Sequence, residues 1–580
     1  MIHFDSRNEF HKSPFGAVKC STEVTFRIKA EGNPFAVYLV ADGEKIPMKK
    51  SEYDIFETVY NAPSEGSVVY YSFEIVYEKN VIYGNNQKGH GGVGEEGSNI
   101  PYQLTVYEKT AVPEWVKNAV CYQIFPDRFA KSGEVLNPKP NSFIYGSWND
   151  VPLYVKDDNG AIIRWDFFGG NLKGIEQKLD YLENLGINLI YLNPVFSARS
   201  NHRYDTADYK SVDSMLGGDD ALKSLVDAAH KRGIRIILDG VFNHTGCDSI
   251  YFDLYNRFGG GAYHNEDSPY RKWYNFNKNG YDSWWGVGDL PAVNETEKSY
   301  TDYIVSSESS VIRKWFEAGI DGWRLDVADE LPDEFLSLFT SECKKINPES
   351  YVVGEVWEDA TNKIAYGKLR PYFTKRELDG VMNYPFRDTL VAFINGEING
   401  FEASEILMSL CENYPPECME ASLSLLGTHD SERIITAVGS KDKVIALARC
   451  QFVYTGIPVI YYGDETGVPG GKDPDNRRTY PWGYEDKEMI EEFRKLTGMR
   501  KSENLLTSGR AWFGHVGEDV LFIKRFDEKG AFYAFLNRSD KEISIPWGEE
   551  LVDFSSGERI SGFVNIPPLK TVFYKNFVAF

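Results

Sequence analysis

The chain has 580 residues, too many for one compact core, so about two to four domains are expected. Hydrophobic residues make up 42% and charged residues 26%, a globular balance that excludes a disordered or fibrous chain. The formal net charge of −23 argues against nucleic acid and against an anionic membrane surface as partners, and suits a neutral ligand.

Residues 1–112 read as short alternating strands, TEVTFRIKA, FAVYLVADG, DIFETVY, VVYYSFEIVYE and YQLTVYE, separated by Gly, Asn and Pro. This is the pattern of a small N-terminal β-sandwich, and Pro113-Glu114-Trp115 marks its end. The first residues carry no apolar leader segment, and no run of about 18 apolar residues occurs, so no membrane span is expected.

From 113 to 502 the rhythm changes. Short β-rich runs alternate with helical periods: AVCYQIF (119–125), INLIYLNP (187–194), IRIILDGVFNH (234–244), DGWRLD (321–326), YVVGE (351–355), LDGVMNY (378–384), SLLGTHD (424–430) and IPVIYYG (457–463). Eight such units predict an α/β fold, a (β/α)8 TIM barrel, with helices such as DDALKSLVDAAHKRG between the strands. A Tyr-, Trp-, Gly- and Asn-rich insertion after strand three (245–296) is expected to wall a cleft. Residues 503–580 return to strand patterning (VLFIKRF, AFYAFLN, ISIPWG, TVFYKNFV) and predict a C-terminal β-sandwich, so all-β domains flank the barrel. The seven cysteines are scattered and none forms a C-x-x-C pair, which with the missing leader points to a reducing compartment, the cytoplasm.

In such a barrel the chemistry sits at the carboxyl ends of the strands. Strand three ends in Asp239 with Asn243-His244 beyond it, strand four in Arg324-Leu325-Asp326, strand five in Glu355-Val356-Trp357 and strand seven in His429-Asp430. An isolated acid or histidine is usually structural; four strand ends bearing acids point to carboxylate chemistry. A retaining glycosidase needs two carboxyl groups about 5 Å apart, one ionised and one protonated. Neighbouring strands lie about 4.8 Å apart, so Asp326 and Glu355 suit that separation. Arg324 alternates onto the face of Asp326 and favours its ionised form. Glu355 has no basic neighbour in sequence and shares its face with Trp357, which suits a raised pKa and the role of acid.

These residues resemble glycoside hydrolase family 13, the α-amylase family, along nearly the whole chain and most strongly over 119–482. Its four principal motifs stand in order: DGVFNH (239–244), GWRLDVADE (322–330), GEVW (354–357) and LLGTHD (425–430). The resemblance implies Asp326 as nucleophile, Glu355 as general acid/base and Asp430 as the third carboxylate. It implies that Arg324 sets the charge state of the nucleophile. It also implies that His244 and His429 bond the sugar at the scission point and that Tyr204 forms the platform beneath it. Asp473 and Arg477 would hold the next sugar on the non-reducing side. YQIFPDRF (122–129), Trp357 and SNHRYDTADY (200–209) are similar to the neopullulanase, cyclomaltodextrinase and maltogenic amylase group and to clostridial amylopullulanases. Such enzymes cut α-1,4 and in several cases α-1,6 bonds in maltooligosaccharides, cyclodextrins, starch or pullulan, and Glu330 matches a residue of their acceptor side.

The sequence also departs from this group. V-A-N-E becomes Val327-Ala328-Asp329-Glu330, and M-P-K-L-N becomes Leu290-Pro291-Ala292-Val293-Asn294, both on the acceptor side. The loop 131–143 is poor in acids and FFGGN places Asn171 where relatives carry a calcium-binding Asp, so a first calcium site is not expected, whereas Asn243 leaves a second one open. No cofactor is needed for the chemistry. A transglycosidase on the same α-glucan donors and a non-catalytic glucan-binding scaffold are the competing readings. The N-terminal domain is read either as a glucan-binding unit or as a homodimer contact.

Overall fold

The structure, a computed structural model, describes residues 1–109, 112–135, 137–278 and 280–577. Leu136 of the loop 131–143, Asn279 of the insertion and Val578, the last residue of the expected strand TVFYKNFV, lie outside them.

Eight parallel strands form the central sheet: β1 Cys121–Ile124, β2 Leu189–Leu192, β3 Arg235–Gly240, β4 Gly322–Leu325, β5 Tyr351–Gly354, β6 Gly380–Val381, β7 Leu423–Leu425 and β8 Ile457–Tyr461. Each neighbours the next, β8 pairs back onto β1, and a parallel bridge between Met382 and Leu423 joins β6 to β7 and closes the barrel.

Strand alternation decides what lies inside. Cys121, Leu189, Tyr191, Ile237, Val353, Leu425 and Val459 pack into one apolar cluster on the barrel axis. Their neighbours Tyr122, Ile190, Leu192, Ile236, Leu238, Trp323 and Val352 face the other way, into the cluster shared with the helices. Read upward along the inward rows, apolar residues give way to polar ones: Leu189, Tyr191 and Asn193; Ile237 and Asp239; Val353 and Glu355. The lower barrel is therefore a packed plug, and the polar row collects at the carboxyl ends.

The helices follow their period. In α1 (Gly218–His230) the buried residues are Leu222, Leu225, Val226 and Ala229, one face at i, i+3, i+4 and i+7. In α2 (Asp333–Ile346) Leu336, Phe339, Thr340 and Cys343 do the same, with Asp333 and Glu334 in the first turn and Lys344 and Lys345 in the last, where the helix dipole favours them.

The N-terminal strands form two sheets around their own core, and Glu23–Ala30 alternates buried and accessible residues along its length. The C-terminal β unit is one six-stranded antiparallel sheet rather than two separate ones. Phe513, Leu521, Ile523 and Phe532 face the barrel helices. The hairpin of Ile543–Asp553 and Arg559–Ile566 folds over the other face, where the Trp547 ring meets Phe522, Tyr533 and Phe535. Its first strand starts at Arg510, because Asn504–Ser508 is still helical.

Three further segments reach the barrel mouth. A small sheet of Ser142–Ile144, Val155–Lys156 and Ile162–Phe167 lies between β1 and β2 and shows no period by which the sequence would announce it. The insertion after β3 carries little regular structure. The long loop after β5 carries a hairpin of Ile364–Ala365 and Lys368–Leu369.

Candidate active site

The register of β4 and β5 pairs Leu325 with Gly354, so Asp326 and Glu355 follow side by side at the two strand ends. Beneath them lies Arg324, fully buried, whose guanidinium reaches three acids. Nη1 donates to Asp239 Oδ1 and to Asp326 Oδ1, each at 2.7 Å, and Nη2 stands 2.7 Å from Glu355 Oε2. One guanidinium thus bridges the Asp326 and Glu355 carboxylates at the ends of neighbouring strands.

This arrangement corrects the expectation that Glu355, without a basic neighbour in sequence, has apolar and anionic company. The cation opposite Glu355 comes from the neighbouring strand, and Trp357 turns its Nε1–H rather than its ring face to Glu355 Oε1, at 3.0 Å. The Val327 N–H donates to Glu355 Oε2 at 2.9 Å. To do so Val327 takes φ +40°, a left-handed conformation that a β-branched residue rarely adopts. Burial pushes the Asp326 carboxyl well above the ordinary carboxylate range; Arg324 opposes this, and the charges of Glu355 and Asp239 add to it.

Asp430 behaves oppositely. Burial opposes its charge, but His429, Arg477 and Arg324 outweigh burial and hold it well below the ordinary carboxylate range. His429 Nε2 lies 2.9 Å from Asp430 Oδ2, and Arg477 Nη2 donates to Asp430 Oδ1 at 3.3 Å. Arg477 also pairs with Asp473 at 3.0 Å. The Tyr204 ring stacks on His429 with centroids 5.3 Å apart, and its hydroxyl donates to Asp239 Oδ2 at 2.9 Å. His244 Nε2 donates to the Tyr204 carbonyl at 3.1 Å; burial lowers its pKa to about 4, so the ring is neutral through ordinary pH. Glu330 accepts at 3.1 Å from Trp285 Nε1 of the insertion and from the hydroxyl of Tyr366 in the hairpin after β5.

All of these groups open onto one cavity of about 780 Å³. Asp326, Glu355, Asp430, Tyr204, His244, Glu330, Trp357, His429, Asp473 and Arg477 line it, and Arg324 is its buried support. The Trp357 ring lies flat on Tyr384, centroids 3.8 Å apart. The expected insertion does wall the cleft, through Trp284, Trp285 and Leu290. Residues not singled out from sequence join them. His202 stands within the SNHRYDTADY motif, and burial lowers its pKa to about 3. Tyr154, from the small sheet between β1 and β2, donates to Asp473 Oδ1 at 2.9 Å. Asp239 carried a signal, as a strand-end acid, and lies beneath the cleft as the third partner of Arg324.

Asn171 and Asn243 are both hydrogen-bonded within the chain. Asn171 Oδ1 accepts from Gly174 N at 2.8 Å and caps a helix, Asn171 Nδ2 donates to the Ser132 carbonyl at 2.9 Å, and the Asn243 side-chain amide is shared between His244 and the Asp326 carbonyl.

Residues 123–508 match the family model described as alpha amylase, catalytic domain. The amylopullulanase of Thermoanaerobacter thermohydrosulfuricus is 35% identical over 88% of this chain and 39% of its own length, and the cyclomaltodextrinase of Geobacillus thermopakistaniensis is 35% identical over 80% and 77%. This chain thus spans about a third to a half of the amylopullulanases it matches. Among solved structures, the type III pullulan hydrolase from Thermococcus kodakarensis superposes with a TM-score of 0.71 at 25% identity, covering 99% of this chain and all of the other. The motif order, the closed barrel with its flanking β units and the matched residues together place this chain in the α-amylase family.

Proposed function

We propose that this chain hydrolyses α-glucosidic bonds of maltooligosaccharides, cyclodextrins, starch or pullulan with retention of configuration. The observation that carries the reading is the single buried guanidinium shared by Asp239, Asp326 and Glu355 at the floor of an aromatic-walled cleft.

In the first step Asp326 attacks the anomeric carbon while the glycosidic C–O bond breaks, and Glu355 gives its proton to the leaving oxygen. The product is a glucosyl ester on Asp326. In the second step Glu355, now a carboxylate, takes a proton from water; the water oxygen attacks the anomeric carbon, and the ester bond to Asp326 breaks. The mechanism needs the proton on Glu355 when substrate is bound, and Arg324 stabilises the negative charge on Asp326. Asp430 stays ionised beside His429 and can grip sugar hydroxyls. Tyr204 offers its ring beneath the sugar, and Asp473, Arg477 and Tyr154 form a polar bracket for the next one.

Glu355→Gln is expected to lower kcat roughly 10²- to 10⁴-fold, and Asp326→Asn at least as much. The fragment released from the ester on Asp326 should appear with a new α-anomeric reducing end by NMR when maltotriose is cleaved. A β-anomeric new reducing end, or near wild-type turnover by either variant, overturns the assignment. The chemistry as drawn needs no metal; unchanged kcat after dialysis against EDTA is the expected outcome, and a loss restored by calcium would show that a calcium site supports the fold or the cleft. Free thiols at all seven cysteines fit a reducing compartment, and among the described residues no helix is long and apolar enough to cross a membrane.

A further inference from the structure

The departure at Asp329 has a partner. Asp329 Oδ2 lies 3.0 Å from Lys363 Nζ, the carboxyl group and the ammonium each about one-sixth exposed, and Asp329 Oδ1 accepts from the Tyr372 hydroxyl. Arg370 donates to the carbonyls of Asp329 at 2.8 Å and Leu331 at 2.6 Å. Lys363, Arg370 and Tyr372 all belong to the long loop after β5, so the segment after β4 and that loop are clasped at three points.

The clasp bears on the cleft because Asp329 and Lys363 line it together with their neighbours. One residue beyond Asp329 stands Glu330, and three beyond Lys363 stands Tyr366, at the hairpin tip with φ +51°. The Tyr366 hydroxyl donates to Glu330, whose other oxygen accepts from Trp285. Glu330 thereby joins two walls, the insertion after β3 and the hairpin after β5. The base of the same loop rests on the N-terminal domain. Gln103 Nε2 donates to Thr361 Oγ1 at 3.0 Å, the Glu108 N–H donates to the Thr374 carbonyl at 3.1 Å, and Arg376 pairs with Glu108 at 3.2 Å.

We infer that the Asp329–Lys363 pair is a positioning device for the acceptor side: it holds Tyr366 against Glu330 and so sets how the chain binds the sugar beyond the scissile bond. This rests on the hydrolase reading above. An asparagine at 329 would still accept from Tyr372, but it would leave the Lys363 ammonium facing only Glu358, whose side chain is 61% exposed. A partly shielded pair keeps more of its attraction than a solvated one. The carboxylate at 329 and the lysine at 363 therefore belong together, and the N-terminal domain takes part in cis, as the footing of the loop.

The test compares wild type, Asp329→Asn, Lys363→Met and the double variant on maltopentaose. The Michaelis constant, kcat, and the ratio of transfer to hydrolysis at high substrate are read for each. Each single variant should raise KM roughly ten-fold with a much smaller change in kcat, and lower the transfer ratio; the double variant should be no worse than either single one, since the pair is already broken. Unchanged KM and transfer ratio in both single variants overturn the proposal, and so does an equal loss in kcat and KM that tracks a lowered melting temperature. If Asp329→Asn fails to fold, Lys363→Met decides alone. An inactive wild type would instead sink the hydrolase reading, so the two failures are distinguishable.

Discussion

Arg324 carries more of this site than any other side chain. It is fully buried, and the groups that compensate its charge are Asp239, Asp326 and Glu355. A lysine retains the charge but not the planar fork, so it cannot reach three acids at once. Arg324→Lys is expected to lower kcat roughly 100-fold while the protein still folds. The sign of its pH effect follows from the same geometry. Burial raises the Asp326 pKa and Arg324 opposes that rise, so a weaker cation lets the pKa climb further. The nucleophile must be ionised to act, so the acid limb of kcat/KM should move to higher pH. His244 and His202 do not produce that limb, because their pKa values lie at about 4 and about 3. A pH–rate profile of the two proteins from about pH 4 to about pH 9 checks this; an unmoved acid limb removes Arg324 from the control of Asp326.

At the scale of elements, the strand ends were legible because the inward row of each strand changes from apolar to polar at one point. Asp326 and Glu355 stand where β4 and β5 run out, Asp430 lies five residues beyond the end of β7, and strand alternation alone places Arg324 under Asp326. The reach of Arg324 to Glu355 was not legible, because it depends on the register between β4 and β5, a property of two strands and not of either one. Tyr154 and Tyr366 were not legible either. They come from a small sheet and a hairpin that lack a period, and only their tertiary contacts bring them to the cleft. Tyr154 tests whether such an element contributes to binding. Its hydroxyl bonds to Asp473, which Arg477 holds from the other side. Tyr154→Phe removes a hydrogen bond worth about 0.5–1.5 kcal/mol, so KM for maltotriose should rise roughly two- to ten-fold with kcat nearly unchanged. A KM equal to wild type would exclude the bracket from the substrate path.

At the scale of the whole molecule, buried acids make stability fall as pH rises. Glu377, on the segment leading into β6, is 1% exposed, and burial followed by the charge of Asp333 pushes its pKa up to about 8. Burial does the same to Glu295, also to about 8. In the unfolded chain both titrate near 4.5. The folded state therefore binds more protons than the unfolded state between those values. The stability these groups give is complete below about pH 4.5 and is lost as pH rises through about 8, at about 1.4 kcal/mol per pH unit for each proton. Depressed acids such as Asp430 have the opposite sign, and their contribution is lost only as pH falls through their low folded-state values. Glu377→Gln keeps a neutral side chain at every pH. It should match wild type near pH 5, become the more stable protein by pH 8, and show a flatter dependence of the denaturation midpoint on pH in between. Parallel curves for the two proteins would mean that Glu377 is ionised in the folded chain.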